Sequence, residues 1–209
     1  ATIDSLEGTA VKIGSNAGQS GQLGRAVAVG GLAGQTNQGA DSVAIGYDSA
    51  NTGQGYGAVA IGLTAGKTNQ SQDSISVGRL AGNDTQGGNS VAVGYQAGKS
   101  SQGSSSIAVG ANAGTTSQGD RAIAIGVQAG NNTQSNDSIA IGREAGKTSQ
   151  GANSIAVGSF AGLTNQSANS VCLGDLSAVT GTLQVQLGKS GTTTYAYGAV
   201  QDRSDERDK

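Results

Sequence analysis

Tyr47, Arg79, Tyr95, Arg143 and Phe160 are the side chains of this sequence best suited to recognition. Aromatic rings and guanidinium groups stack on, and hydrogen-bond to, sugars and protein loops. Each follows by one or two residues a glycine of a regular series, at the two positions that vary most between repeats, as in Tyr47-Asp48, Leu63-Thr64 and Arg143-Glu144. Positions free to hold Tyr, Arg, Leu or Asp are not packed to a common shape, so they are expected to face solvent. Catalysis has less to draw on. The chain has no His, no cluster of metal ligands and no paired carboxylates in register, so no enzyme chemistry, metal or cofactor is expected. Asp41, Asp73 and Asp137 share a column that most repeats fill otherwise, which sets aside a calcium-binding loop. A column of Thr36, Thr52, Thr68, Thr116, Thr148 and Thr164 is interrupted by Asp84, Ser100 and Asn132, which sets aside an ice-ordering face.

The elements that must position these side chains are written in the glycines. Gly14, Gly30, Gly46, Gly62, Gly78, Gly94, Gly110, Gly126, Gly142, Gly158 and Gly174 follow one another at intervals of sixteen residues. A short strict period means one unit stacked on copies of itself. Before each such glycine two β-branched residues flank a small one, as in Val27-Ala28-Val29 and Ile123-Ala124-Ile125. That alternation is a strand signal. The glycine then marks a corner through positive φ. A second small pair follows, Ala97-Gly98 or Ala129-Gly130 for example. The sixteen residues divide into two extended arms of about five residues and two turns of about three, one coil of a two-sided parallel β-roll.

The fold class expected is all-β, a β-solenoid of about eleven coils and on the order of 50 Å long. Two Val or Ile per coil are expected inside. The column Gln22, Gln38, Gln54, Gln70 to Gln166 is expected to form a ladder of stacked amides. A single roll would be marginal, and the Ala and Gly columns are where identical rolls would pack about a common axis. Cys172 takes the place of Ala in its column and reads as a small buried filler.

Composition excludes other classes. There is one Phe, five Tyr, no Trp and no Met among 209 residues, so no bulky core can form. The formal charge is -2 without a basic run, so nucleic acid is not an expected partner. No stretch nears the roughly 20 apolar residues of a membrane span, and the amino terminus lacks the blocks of a signal peptide.

The repeat Ser-Val-Ala-Ile-Gly, at Ser42 to Gly46, and its variant at Ser138 to Gly142 resemble the heads of trimeric autotransporter adhesins of Gram-negative bacteria. The similarity covers residues 11 to about 178 and implies a left-handed parallel β-roll assembled as a homotrimer. The ending Tyr195-Ala196-Tyr197-Gly198 through Lys209 looks instead like the junction, in bacteriophage tail fibres and tail spikes, between a trimeric shaft and a self-cleaving intramolecular chaperone. Ser204, Asp205, Arg207 and Lys209 match that family's pattern. The resemblance implies Ser204 as nucleophile, Lys209 as base and the bond between Arg203 and Ser204 as the one cut in a longer precursor. The 209-residue chain, without a chaperone body to desolvate Lys209, is not expected to cleave itself.

The organisation read from the sequence is a lead-in over 1–10, the β-roll over 11–178, a C-terminal β stem over 179–203 and the start of a chaperone domain over 204–209. The expected function is a structural virion fibre resembling a phage tail fibre, extracellular, that attaches to a glycan or protein receptor on the host cell and joins other fibre or baseplate proteins. The alternative is the head of a trimeric adhesin on a bacterial cell surface.

Overall fold

A computed structural model describes residues 10–189 and residue 191. The chain is an all-β, two-sided parallel β-solenoid, with no helix among the described residues. Twelve three-residue strands, from Val11–Ile13 and Val27–Val29 to Val171–Leu173 and Val185–Leu187, form one sheet in strict sequence order. Eight more, from Thr36–Gln38 to Thr148–Gln150, form a second sheet. The two are called here the apolar and the polar sheet. Partners within the apolar sheet lie sixteen residues apart, Val91 against Ile107 and Val93 against Val109 for example. The last lap alone is shorter: Val171 pairs with Val185, so the solenoid runs on into the segment assigned from sequence to a stem.

The backbone is satisfied between laps rather than within them. Val91 N donates to Ser106 O of the following lap at 2.9 Å, and Gly94 N to Val77 O of the preceding lap at 2.8 Å. Gln96 N reaches back to Arg79 O, while Gly98 N reaches forward to Ala113 O. Each lap thus hydrogen-bonds to both neighbours, as a buried backbone requires.

Corners take up more of the lap than the sequence suggested, and the arms are correspondingly shorter, three residues instead of about five. The ruler glycines do adopt positive φ, 131° at Gly94 and 127° at Gly110. They also lie against one another: a Cβ on Gly110 would stand 2.6 Å from the carbonyl oxygen of Gly126. In most laps three further positions are left-handed without being glycine, for instance Gln96, Ser101 and Ser105, all near φ 55°. In the column of Ser105 stand Asp41, Asp73, Asn89, Asp137, Asn153 and Asn169. Asp and Asn tolerate that conformation best, so the recurring aspartates have a backbone reason.

The interior differs from the expected one. In the apolar strands from Val27–Val29 to Val171–Leu173 the middle residue points inward: Ala28, Ala44, Ala60, Ser76, Ala92, Ala108, Ala124, Ala140, Ala156 and Cys172 are fully buried. The flanking β-branched residues point out, and Ile45, Ile75, Ile125 and Ile141 keep more than a third of their surface exposed. The expectation of two buried Val or Ile per coil is therefore corrected, because opposite Gln the inward column leaves room only for small residues, Ala, Ser76 or Cys172. The expectation that Ala and Gly columns pack against other rolls falls with it. Ala33, Ala65, Ala81, Ala97 and Ala113 are at 0% exposure inside the lap, and no second chain can reach them.

Glutamine fills the rest of the core. Gln38, Gln70, Gln86, Gln134 and Gln150 are among the largest fully buried side chains. Their principal bond crosses the lap to a carbonyl of the apolar strand eleven residues back: Gln38 Nε2 to Val27 O, Gln70 to Val59, Gln118 to Ile107 and Gln134 to Ile123, each at 2.8 Å. Amide-to-amide bonds along the stack occur at four steps, such as Gln22 to Gln38 at 2.9 Å and Gln54 to Gln70 at 3.2 Å. The column is a row of cross-braces first and an amide ladder second. Where Ser76 replaces Ala, its hydroxyl donates to Gln86 Oε1 at 2.5 Å.

Candidate functional site

The solenoid offers three kinds of outer surface, each a set of columns rather than a pocket. The apolar sheet presents two columns of Val, Ile and Leu. No charged residue occurs in any of its strands from Val27–Val29 to Val185–Leu187. The polar sheet presents Thr36, Thr52, Thr68, Thr116 and Thr148 with Asp84, Ser100 and Asn132 in one column. Two edges join the sheets.

The edge that follows the ruler glycines carries the recognition residues expected from sequence. Tyr47 is 58% exposed and Tyr95 39%. Arg79 and Arg143 are exposed, and Phe160, with φ 57°, is half-buried. The structure brings four of the five into pairs. The Arg79 guanidinium lies 4.6 Å from the centre of the Tyr95 ring one lap on, and that of Arg143 lies 4.3 Å from the Phe160 ring. A cation held over an aromatic face is attracted by the ring quadrupole. Tyr47 stays apart, its ring packed over Gly31 of the preceding lap, where a Cβ would sit 3.3 Å from Tyr47 Cδ2.

Ion pairs were not anticipated. Lys67 Nζ meets Asp48 Oδ2 at 2.8 Å, and hydrogen bonding to this nearly buried carboxylate pushes the lysine pKa up. Lys147 meets Glu144 at 2.9 Å. On the opposite edge Arg25 grips Asp41, and Arg121 grips Asp137 with bonds of 2.6 and 2.8 Å. Hydrogen bonds from these guanidinium groups hold both carboxyls below the usual Asp range. For the two arginine pairs the signal in the sequence was a charge and its opposite sixteen residues apart.

The two edges differ in sign. From Arg25 to Asn169, the first edge holds Lys67, Arg79, Lys99, Arg143 and Lys147 against Asp48 and Glu144, a net charge of +3, with Asp84 on the polar sheet. The second holds Arg25 and Arg121 against Asp41, Asp73, Asp120 and Asp137, a net charge of -2. No cluster of three or more potential metal ligands occurs among the described residues. Ser204 and Lys209, assigned from resemblance to self-cleavage, lie outside the described residues, as does the ending from Tyr195.

No family model matches the sequence, and no curated protein matches it. Among solved structures the chain is similar to the crystal structure of the collagen-binding domain of the Yersinia adhesin YadA, at 23% identity and a TM-score of 0.48, over 95% of this chain and 90% of that one.

Proposed function

We propose that this chain is the head of a trimeric surface adhesin, a rod that works by contact. The carrying observation is the outward stripe of β-branched residues on the apolar sheet. Twelve strands at about 4.8 Å make it about 50 Å long, and its two columns give on the order of 600 Å² of flat apolar surface. A soluble monomer rarely leaves a patch of that size uncovered. The stripe is three residues across, about 10 Å at the strand rise, so copies can turn these faces inward around a common axis and cover them with one Val or Ile layer each. The stripe thus takes over the role that sequence reasoning gave to the Ala and Gly columns.

Trimer formation turns the polar sheet outward, with Tyr47 and Tyr95 at its border, and repeats that surface about the axis. Threonine, asparagine and serine columns beside aromatic rings suit a glycan or an extended protein ligand on a host surface. The virion-fibre reading rests on the ending from Tyr195 to Lys209, and nothing in the described residues favours it over a bacterial cell-surface location.

Light scattering of the purified chain tests the assembly: a mass near three times 20.2 kDa is expected, and a stable folded monomer overturns it. Attachment is tested with labelled protein on immobilised glycans and matrix proteins, collagen among them. Tyr47→Ala with Tyr95→Ala should lower binding at least tenfold, and unchanged binding removes these rings from the ligand site.

A further inference from the structure

The column of buried glutamines is not satisfied evenly. Among the described residues no group donates to Oε1 of Gln54, Gln102, Gln118 or Gln150, although these residues are at most 3% exposed. Gln38, Gln70, Gln134 and Gln166 accept there from the amide of the preceding lap. Gln86 differs from both groups. Its Oε1 accepts from the hydroxyl of Ser76, ten residues earlier. A buried acceptor without a donor keeps its full desolvation penalty, so the orphan oxygens mark where this core can still gain.

Glycine makes the room for that hydroxyl. A Cβ on Gly82 would fall on Ser76 Oγ and stand 2.8 Å from Gln86 Oε1. A Cβ on Gly98 would likewise run into Gln102 Oε1, 3.3 Å from Ala92 Cβ. The arrangement recurs at Gly114 with Ala108 and Gln118, and at Gly146 with Ala140 and Gln150. Each trio repeats the spacing of Ser76, Gly82 and Gln86.

We infer that the space beside this glycine column is a hydroxyl site within the core, that Ser76 fills it, and that the laps of Ala92, Ala108 and Ala140 present the same site to a serine. A hydroxyl placed there donates to the orphan Oε1 and holds the amide with its nitrogen toward the apolar strand. Ser76 is thus a clamp on its lap and not a tolerated substitute for alanine. Gln102 has the most to gain, because its amide takes no bond from Gln86 and gives none to Gln118, and holds Val91 O alone at 2.9 Å. The lap of Ala44 and Gln54 is the exception: Ala50 stands where the others have glycine, and its Cβ takes the place of the hydroxyl. Gln22, whose Oε1 is also orphaned, has Lys12 ten residues before it instead of a small residue.

Thermal unfolding of the full chain at matched protein concentration tests the site. Ala92→Ser should raise the melting temperature by about 2 to 4 °C, the shift of one net hydrogen bond in a chain of this size. Ala92→Cys, similar in size but a weak donor, should give no such rise, and neither should Ala44→Ser. If Ala92→Ser gains no more than Ala92→Cys, or Ala44→Ser gains as much as Ala92→Ser, the glycine column is not a hydroxyl site. The natural serine supplies a second measurement. Gly82→Ala should lower the melting temperature by more than Gly98→Ala does, and in a Ser76→Ala background that loss should shrink to the Gly98→Ala value. A loss that is the same with and without the Ser76 hydroxyl overturns the assignment.

Discussion

The two sheets are cut from the same lap, yet they solve different problems. The apolar sheet is regular: twelve strands, Ala inward, β-branched residues outward, a glycine at its end. The polar sheet has eight strands, with a left-handed residue such as Ser101 or Ser117 in the middle of most of them. Its inward residue is Gln, its outer face Thr, Ser and Asn. The apolar sheet keeps greasy side chains outside, where only another protein surface can cover them. The polar sheet keeps amides inside, where only the opposite backbone can satisfy them. A solenoid this thin is stabilised by hydrogen bonds across its width and by what it leaves for a neighbour, more than by a core of its own.

The largest expected effect that sharpens this contrast is at the close of an apolar strand. Gly110→Ala puts a Cβ against the Gly126 carbonyl at φ 127°, and rigid backbone on both sides should cost about 4 kcal/mol or prevent folding. Soluble expression and thermal unfolding report it. Removing a cross-brace comes next. Gln134→Ala deletes the bonds to Ile123 O and Ser138 O and leaves a cavity, which should lower stability by about 3 kcal/mol in urea titrations. If the loss is near zero, the polar core is not what joins the sheets.

At the entry to a polar strand the same glycine substitution should be milder. Gly98→Ala meets the flexible Gln102 Oε1 and not backbone, and Ala50 already occupies the equivalent place at φ 44°; about 1 to 2 kcal/mol is expected. Cys172→Ala restores the residue found in neighbouring laps and should change stability by about 1 kcal/mol or less. Burial pushes the Cys172 thiol pKa up, so a thiol reagent should label it only on unfolding. The smallest effect concerns the exposed pair on the negative edge. The Asp137 carboxyl is held below its ordinary value of about 3.9 by Arg121, so its contribution is present above that value and is lost as pH falls through the lower, folded-state pKa. Asp137→Asn should remove that acid-side decline by slightly lowering the neutral-pH melting temperature while leaving the acid value unchanged, and salt should weaken the contribution in the same direction.

Much of this was written in the spacing. The period fixed the lap, and Val27-Ala28-Val29 announced a strand. The conserved distance from Gln38 to Gln54 announced a column. The identity of the inward face was not legible from alternation, which defines two faces without ranking them. Hydrophobicity ranks Val above Ala, whereas the inward column holds small side chains, Ala with Ser76 and Cys172. Left-handed Gln96, Thr133 and Leu80 were equally hidden, because nothing in their side chains asks for that conformation; the turn imposes it. Arg79 over Tyr95 was within reach of the sequence, being a cation and a ring one period apart. Arg143 over Phe160 needed the geometry of the corner.

Sixteen-residue laps that bond only to the laps before and after them have an evolutionary corollary. Duplicating or excising one unit of the gene changes the molecule's reach by about 4.8 Å and recreates the same junctions on either side. Length is then the trait most easily altered without refolding anything else. Relatives of this chain should differ first in how far they extend from whatever bears them, and only later in how they are built.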